Sequence, residues 1–329
     1  MEKPIPTILK VKLVCNESYS NDDIHDGILD SDREILNNDA EVLDVIKKSG
    51  TRAAATDLAI LSGAYILSFQ RTNDGDFACD FWAVSSYNVQ SIVENPETYV
   101  PIVSCYGNIS KASPFSRDVS IRPALLENEA AKITPTAEWR SYNGIHIVEY
   151  GEYPQTVVDE NTETILESLY NTGKLETTGK SYTFYGTPLK DEDSKFKPDP
   201  HAEYMYQGKK YVRVVAKPEN QMNRLSDGRE VKEGKAYWVE VQPIEWMKDK
   251  KSGILISRKC LIAGIQHDTK PKYAGNFAAT FIRYYLDTYF MNEMQPSGAK
   301  EQEIGPKTIG HQYQITPEAL NSEIILQHE

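Results

Sequence analysis

The alternation of apolar and polar residues predicts short β-strands along most of the chain. A period of two is typical of a strand with one buried face, and a short apolar run is typical of a fully buried strand. These patterns predict strands over residues 8–15, 65–69, 81–84, 100–106, 119–125, 211–216, 236–241, 244–248 and 254–257. Pro243 and Gly253 are expected to separate the last three, because proline lacks the ladder N–H and glycine weakens a strand. The strand over residues 65–69 is expected to be buried.

Apolar residues at three- and four-residue spacing predict a few helices between these strands. One covers residues 56–61 and ends at Gly63, and another covers residues 161–170 with Asn161 as its N-cap. The inward residues of that second helix are expected to be Ile165, Leu166 and Leu169. The strongest pattern follows Asn276, its expected cap, and the residues of its stripe are Phe277, Phe281, Ile282, Tyr285, Leu286, Tyr289 and Phe290. Such a broad stripe favours core packing over the lining of a pocket.

Strands and helices mixed in this way predict an α+β fold with mostly antiparallel strands and long loops. Residues 1–54 are expected to form an N-terminal strand and helix. Residues 295–329 are polar and contain three prolines, which predicts an extended tail.

Composition narrows the function classes. Among the 329 residues, 36 Lys and Arg oppose 48 Asp and Glu, which gives a net charge of −12. A protein that coats duplex nucleic acid needs the opposite sign, so no direct nucleic-acid binding is expected. The chain has 20 Tyr against 9 Phe and 4 Trp, and tyrosine is favoured on recognition surfaces. No apolar run approaches the roughly 20 residues of a membrane span, so no membrane partner is expected.

The cysteines and the N-terminus predict the compartment. Cys15, Cys79, Cys105 and Cys260 lie far apart and form no C-x-x-C pair. The first residues lack the apolar core of a signal peptide, so free thiols are favoured over disulfides. We therefore expect the protein in the cytoplasm or in a virion assembled there.

The candidate chemistry is sparse. The six His residues are scattered without metal-ligand spacing, so no metal and no cofactor are predicted. Glu240 and Glu245 are a candidate carboxylate pair for acid–base catalysis. A solvent-facing position beside a core tryptophan is favoured over a catalytic role for them. His267 beside Asp268 is the other catalytic candidate, although adjacent residues usually point apart. No catalytic residue is assigned.

Two blocks of sequence are more specific. One contains Phe81-Trp82-Ala83-Val84 and Arg122-Pro123-Ala124-Leu125, and the other contains Tyr150-Gly151-Glu152-Tyr153-Pro154-Gln155 and Pro243-Ile244-Glu245-Trp246. Together they resemble a largely uncharacterised family of bacterial and phage domains, found especially in Firmicutes and their viruses. That family is similar to the C-type-lectin-like and sulfatase-modifying folds. The resemblance covers roughly residues 55–292, but the two blocks stand in the reverse of the order usual in the family. It implies a C-type-lectin-like half over residues 55–149, which ends with the R-P-A-L block, and a second half over residues 150–294 that packs on it.

The resemblance implies a C-type-lectin-like scaffold whose long loops carry the ligand contacts. Loops 85–101 and 106–118 would form the recognition surface. The ligand-binding candidates there are Tyr87, Asn88, Tyr99, Tyr106, Asn108, Arg117 and Asp118. The calcium-dependent sugar motifs of true C-type lectins are absent. The expected structural anchors are Trp82, Trp238, Trp246 and Arg122, the last as a buried guanidinium that bonds loop carbonyls.

Three interpretations of function remain open. The first is a non-enzymatic recognition protein that binds a protein or glycan, such as a phage virion or adhesion component. The second is a phage-encoded intracellular inhibitor of a host defence protein, whose acidic charge would occupy a basic channel. The third is an enzyme of unknown reaction that uses Glu240, Glu245 or His267. The sequence predicts neither the identity of the ligand nor the oligomeric state.

Overall fold

A computed structural model describes most of the chain between residues 5 and 296. The described residues are 5–11, 52–72, 74–85, 100–107, 109–126, 133, 137–138, 145–184, 199–217, 223–249, 254–268 and 280–296. The predicted helix within residues 1–54 and the polar tail lie outside this set, apart from residues 295 and 296 at the start of the tail.

Strands dominate the described part of the chain, as the α+β prediction requires. They are β1 (Ile5–Val11), β2 (Ala53–Ala55), β3 (Ile66–Arg71), β4 (Phe77–Cys79), β5 (Phe81–Ser85), β6 (Val100–Val103), β7 (Ile109–Ala112), β8 (Pro123–Leu126), β9 (Ala137–Glu138), β10 (Ile145–Val157), β11 (Glu176–Thr183), β12 (Pro200–Tyr206), β13 (Lys209–Val215), β14 (Ala236–Asp249), β15 (Ile254–Ser257) and β16 (Lys259–Cys260). The helices are α1 (Asp57–Ser62), α2 (Glu160–Asn171), α3 (Phe281–Tyr285) and α4 (Met291–Glu293), with a π-helical turn (Leu286–Phe290) joining the last two.

A large sheet forms the body of the protein. Its order is β11-β12-β13-β14-β15-β8-β1-β5-β6-β7, and β10 pairs with β14 and β9. β14 is the hub, because it pairs with β13, β15 and β10 along its length. β10 runs through the predicted boundary at residue 149. The two halves predicted from the sequence therefore contribute strands to one sheet.

A smaller sheet with the order β16-β2-β4-β3 packs against this body. The segment before β8 joins the two sheets, since Ser120 bridges Phe81 and Ile121 bridges Ile262. Most buried apolar residues of both sheets belong to one continuous core. A second small cluster contains Leu166, Tyr211 and Trp238 under α2.

Local signals explain the short helices. The Thr56 hydroxyl accepts the Ala59 amide at the start of α1, and Gly63 ends that helix at φ +120°, as predicted. α2 begins one residue before the predicted helix, because the Asp159 carboxylate rather than Asn161 accepts the first free amides. Leu166 faces inward as predicted, but Ile165 is 45% exposed.

Two predictions about strands are wrong. Pro243 does not divide a strand, because β10 bulges between Glu149 and Glu152 where it faces Pro243, and β14 continues unbroken. The strand over residues 65–69 is not buried throughout, since Tyr65 and Phe69 face solvent.

The final helical segment docks on the same bulge. Thr280 caps α3 by accepting the Arg283 amide, and Asn276, the cap expected from the sequence, lies outside the described residues. Phe281, Tyr285 and Phe290 are fully buried, so the described part of the aromatic stripe packs in the core as predicted. At the end of the segment the Glu152 amide donates to the Met294 carbonyl at 2.7 Å.

Gly151 makes this docking possible. Its φ is +70°, and a Cβ at this position would lie 2.5 Å from Met294 Cε and 2.7 Å from the Met294 carbonyl oxygen. The Y-G-x-Y-P-Q motif therefore contains the residues of β10 against which the last helical segment packs.

We expect Gly151→Ala to destabilise the protein by about 2–4 kcal/mol, since a left-handed alanine and an overpacked contact add together. Gly208→Ala is the matched control, because Gly208 has φ +78° and a Cβ added there would meet nothing within 4 Å. It should lose only the left-handed cost of roughly 1–2 kcal/mol. Urea unfolding measures both, and equal losses would contradict the role given to the Met294 contact.

Candidate functional site

Three large aromatic side chains are exposed around β3. Tyr65 is 40%, Phe69 is 68% and Tyr106 is 44% exposed. The Tyr65 amide donates to the Asp118 carbonyl at 2.7 Å, which ties β3 to the loop before β8. Burial is the largest cause that raises the pKa of Tyr65, and nearby groups that include Tyr106 raise it further. The two tyrosines are therefore neighbours.

A wide bulge explains why Phe69 protrudes. Ile66 pairs with Cys79 and Arg71 pairs with Phe77, so residues 67–70 of β3 stand opposite the single residue Ala78 of β4. The extra residues arch away from the ladder. Phe69 lies within this arch, and β3 is at the edge of the small sheet.

Two arginines flank these rings. Arg52 donates from Nε to the Tyr106 carbonyl at 3.2 Å and from Nη1 to the Arg71 carbonyl at 3.1 Å. Arg71 stacks over the Phe77 ring with Cζ 3.6 Å from the centroid, and it donates to the Gly75 carbonyl. Both guanidinium groups bind backbone carbonyls and pair with no carboxylate among the described residues. We name Tyr65, Phe69, Tyr106, Arg52 and Arg71 the aromatic–arginine surface.

The ligand-binding candidates from the sequence meet this surface in part. Tyr106 belongs to it, and exposed Asp118 and half-buried Arg117 adjoin it through the Tyr65 amide. Tyr87, Asn88, Tyr99 and Asn108 lie outside the described residues.

Sequence reasoning missed the other members of the surface. Tyr65, Phe69 and Arg71 share one phase of the β3 alternation, and a charged residue in that phase was the available signal that it faces solvent. Arg52 carried no comparable signal, because its contacts are to carbonyls distant in sequence.

The three predicted tryptophan anchors are fully buried, and each indole has a partner. Trp82 donates to the Ile265 carbonyl, Trp246 to the Tyr150 carbonyl and Trp238 to the Glu167 carboxylate, at 3.1, 2.8 and 2.9 Å. Arg122 is also buried, and among the described residues its Nε donates one hydrogen bond, to the carbonyl of Ser257. The guanidinium thus bonds a backbone carbonyl, which belongs to the last residue of β15.

A buried polar cluster lies where the last helix meets the sheet. Glu293 accepts the Thr183 amide at 2.8 Å on Oε1 and the Tyr153 hydroxyl at 3.5 Å on Oε2. The Tyr285 hydroxyl lies 3.4 Å from that of Tyr153 and donates to the Thr183 carbonyl at 2.6 Å. We call Glu293, Tyr153, Tyr285 and Thr183 the glutamate–tyrosine network.

Charged neighbours surround this network. Lys180 donates to the Gln295 carbonyl at 2.6 Å and lies 3.6 Å from Glu152, which Lys210 contacts at 2.6 Å. Tyr182 donates to Glu203 at 2.6 Å. Each contact joins a strand of the large sheet to another strand or to the last helix.

Burial raises the pKa of the Glu293 carboxyl to about 7, although the Thr183 and Tyr153 hydrogen bonds and the Lys180 charge lower it. Burial also raises the pKa values of Tyr153 and Tyr285 well above the ordinary range. A carboxyl that titrates near neutrality suits acid–base chemistry in principle. Here both carboxyl oxygens of Glu293 accept hydrogen bonds that hold the last helical segment on the sheet. Protonation of Glu293 is therefore coupled to the packing of that segment.

The other acid–base candidates from the sequence do not form a site. Glu240 pairs with Lys209 at 3.0 Å and Glu245 with Arg258 at 2.8 Å. They lie five positions apart on one continuous strand, roughly 17 Å, so they do not act as a pair. Burial lowers the pKa of His267 to about 3, and its ring packs edge-on against Trp82 in the core.

No known family model, curated protein or solved structure matches the chain. The resemblance to C-type-lectin-like domains therefore stays a prediction. Among the described residues, no group of three His, Cys, Asp or Glu side chains is arranged to hold a metal ion. None of the helices in that part of the chain has the length and apolar character needed to cross a bilayer.

We expect Glu293→Gln to remove a pH dependence of stability. Because the folded-state pKa of about 7 exceeds the ordinary 4.5, the folded protein holds this proton more tightly than the unfolded chain does. The resulting stability is complete below about pH 4.5 and is lost as the pH rises through about 7. The difference between the two pKa values corresponds to at most about 3 kcal/mol.

Urea unfolding between pH 5 and 8.5 tests this expectation. Glu293→Gln should unfold at nearly the same urea concentration across this range, whereas the wild type should weaken at high pH. Glu245→Gln is the control, because it removes an equal charge from a side chain that is 43% exposed. An unchanged pH profile in Glu293→Gln would contradict the role of this carboxyl.

Proposed function

We propose that this is a non-enzymatic recognition protein that binds its ligand, a protein or a glycan, through the aromatic–arginine surface. The observation that carries the proposal is the grouping of three exposed aromatic rings with two guanidinium groups that have no carboxylate partner in the described part. This chemistry fits a virion or adhesion component, the role that the family resemblance implies.

The composition of the surface supports binding. Aromatic residues and arginine are the residues most enriched at the energetic centres of protein interfaces. A phenylalanine that is 68% exposed leaves apolar area in water that a partner would cover. Arg52 and Arg71 pair with no carboxylate within the described ranges, so their guanidinium groups offer donors for carboxylate, sulfate or phosphate groups.

The shape of the surface favours a protein over a glycan. Phe69 stands on an arch that projects from a sheet edge, and a projecting ring gains most by entering an apolar pocket on a macromolecular partner. Tyr65 and Tyr106, which are 40% and 44% exposed, would also be able to stack on a sugar ring. We therefore assign the ligand first to a protein whose pocket carries acidic groups at its rim.

A non-enzymatic role is supported by how the titratable groups are used. The glutamate–tyrosine network holds the last helix, and Glu240, Glu245 and His267 are engaged in ion pairs or core packing. None of these groups adjoins the aromatic–arginine surface in sequence or through a hydrogen bond among the described residues.

We expect Phe69→Ala and Arg52→Ala each to lower ligand affinity by at least about 10-fold, as truncation of an interface anchor does. The wild type and variants would be immobilised and exposed to lysate and to purified envelope polysaccharide from the organism that carries the gene. Ile165→Ala is the matched control, because Ile165 is 45% exposed on α2, away from this surface.

Loss of one captured protein in both variants and its retention in Ile165→Ala would support the assignment. Capture of polysaccharide that depends on Tyr106 but not on Phe69 would keep the recognition role and replace the protein ligand. Equal capture by all variants, or no capture by the wild type, would overturn the proposal.

A further inference from the structure

Arg122 is a buried cation that pairs with no carboxylate among the described residues. Its side chain is 2% exposed, and its Nε donates one hydrogen bond to the Ser257 carbonyl at 2.9 Å. Nη1 is buried and has no hydrogen-bond partner among the described residues. Removing a charge from water without pairing it carries a large desolvation penalty, so such a group calls for compensation.

The neighbours of the guanidinium do not supply that compensation. Burial lowers the pKa of Arg122, and the ionisable neighbours that act in the opposite direction are the thiols of Cys260 and Cys79. Burial raises the pKa of Cys260 well above the ordinary range, so that thiol is neutral. Cys79 is positioned to donate to the Ala53 carbonyl at 3.9 Å, which requires its protonated form. The Phe81 ring, 5.4 Å from Cζ, contributes only its π-face.

A second unpartnered donor faces the same side. The Ser120 hydroxyl is buried and has no hydrogen-bond partner within the described ranges. The Ser120 backbone bonds toward Asp80 and Trp82, whereas the Ile121 backbone bonds toward Leu261 and Ile262. This alternation is that of an extended strand, so the side chains of residues 120 and 122 project from one face.

We propose that the Arg122 guanidinium and the Ser120 hydroxyl hold a small monovalent anion, with chloride as the physiological choice. The groups at this point are hydrogen-bond donors around one positive charge, which is the requirement of an anion site. A bridging water would satisfy the donors but would leave the charge uncompensated. A halide supplies one negative charge and needs no directional acceptor geometry.

The position of the site gives it a structural consequence. Ser120 and Arg122 lie on the segment that joins the large sheet to the small sheet, and Cys79 and Cys260 belong to β4 and β16 of the small sheet. An anion here would link the two sheets. It would thereby fix β3, which carries Phe69, relative to the body of the protein.

Bromide diffraction tests the site directly on the full chain. Crystals soaked in sodium bromide should show an anomalous peak within about 3.5 Å of Arg122 Nη1, the range of a hydrogen bond to a halide. Well-ordered density at that place without anomalous signal would identify a water and overturn the proposal. Side-chain density that shows Arg122 paired with a carboxylate would overturn it as well.

Halide dependence in solution provides a second readout. The thermal unfolding midpoint of the wild type should rise with sodium chloride and saturate, beyond the effect of sodium gluconate at equal ionic strength. Arg122→Gln, which keeps an N–H donor and removes the charge, should lose this difference, and Arg117→Gln should keep it. The same chloride response in both variants would contradict the proposal. If Arg122→Gln does not fold, the bromide experiment decides alone.

Discussion

The approach of the Met294 backbone to Gly151 is the contact on which the arrangement of this fold depends. A side chain at position 151 would overlap the Met294 carbonyl, so only glycine lets the last helix reach β10. The bulge that contains Gly151 also faces Pro243, where a proline would otherwise interrupt the ladder. The bulge in β10 therefore accommodates Pro243, allows the last helical segment to pack against β10, and positions Tyr153 in the glutamate–tyrosine network.

This arrangement separates the contacts that hold the fold together from the proposed recognition surface. The buried carboxyl, lysine and tyrosine groups of β10, β11 and the last helix bond to one another, so their chemistry is used to hold the sheet and helix together. The groups with spare binding capacity lie elsewhere, at the edge of the small sheet. There a wide bulge in β3 exposes Phe69, and Arg52 and Arg71 pair with no carboxylate in the described part of the chain. The proposed binding surface therefore combines the edge of the small sheet with Tyr106, which follows β6 of the large sheet.

The α+β class, α1 with its end at Gly63 and the burial of the described aromatic stripe were predicted from the sequence, because these depend on local pattern. It did not predict the continuity of β14 through Pro243, because the compensating bulge lies on another strand. Tyr65 and Phe69 were expected to be buried because they are apolar. Apolar character does not reveal a bulge in which four residues of one strand stand opposite a single residue of the next. Tyr106 was the one described member of the site found in advance. Arg52 joins it through carbonyls that only the tertiary fold brings near.

Photo-crosslinking from position 69 tests directly whether Phe69 contacts a protein partner. A benzoylphenylalanine at this position reports only groups that contact the protruding ring, and the same residue at position 165 reports the chance background. If Phe69 enters an acidic-rimmed pocket of a partner, position 69 should cross-link to one protein in lysate of the organism that carries the gene, at an apolar residue bordered by Asp or Glu, and position 165 should not. Cross-links of equal yield at both positions, or none at position 69, would contradict it.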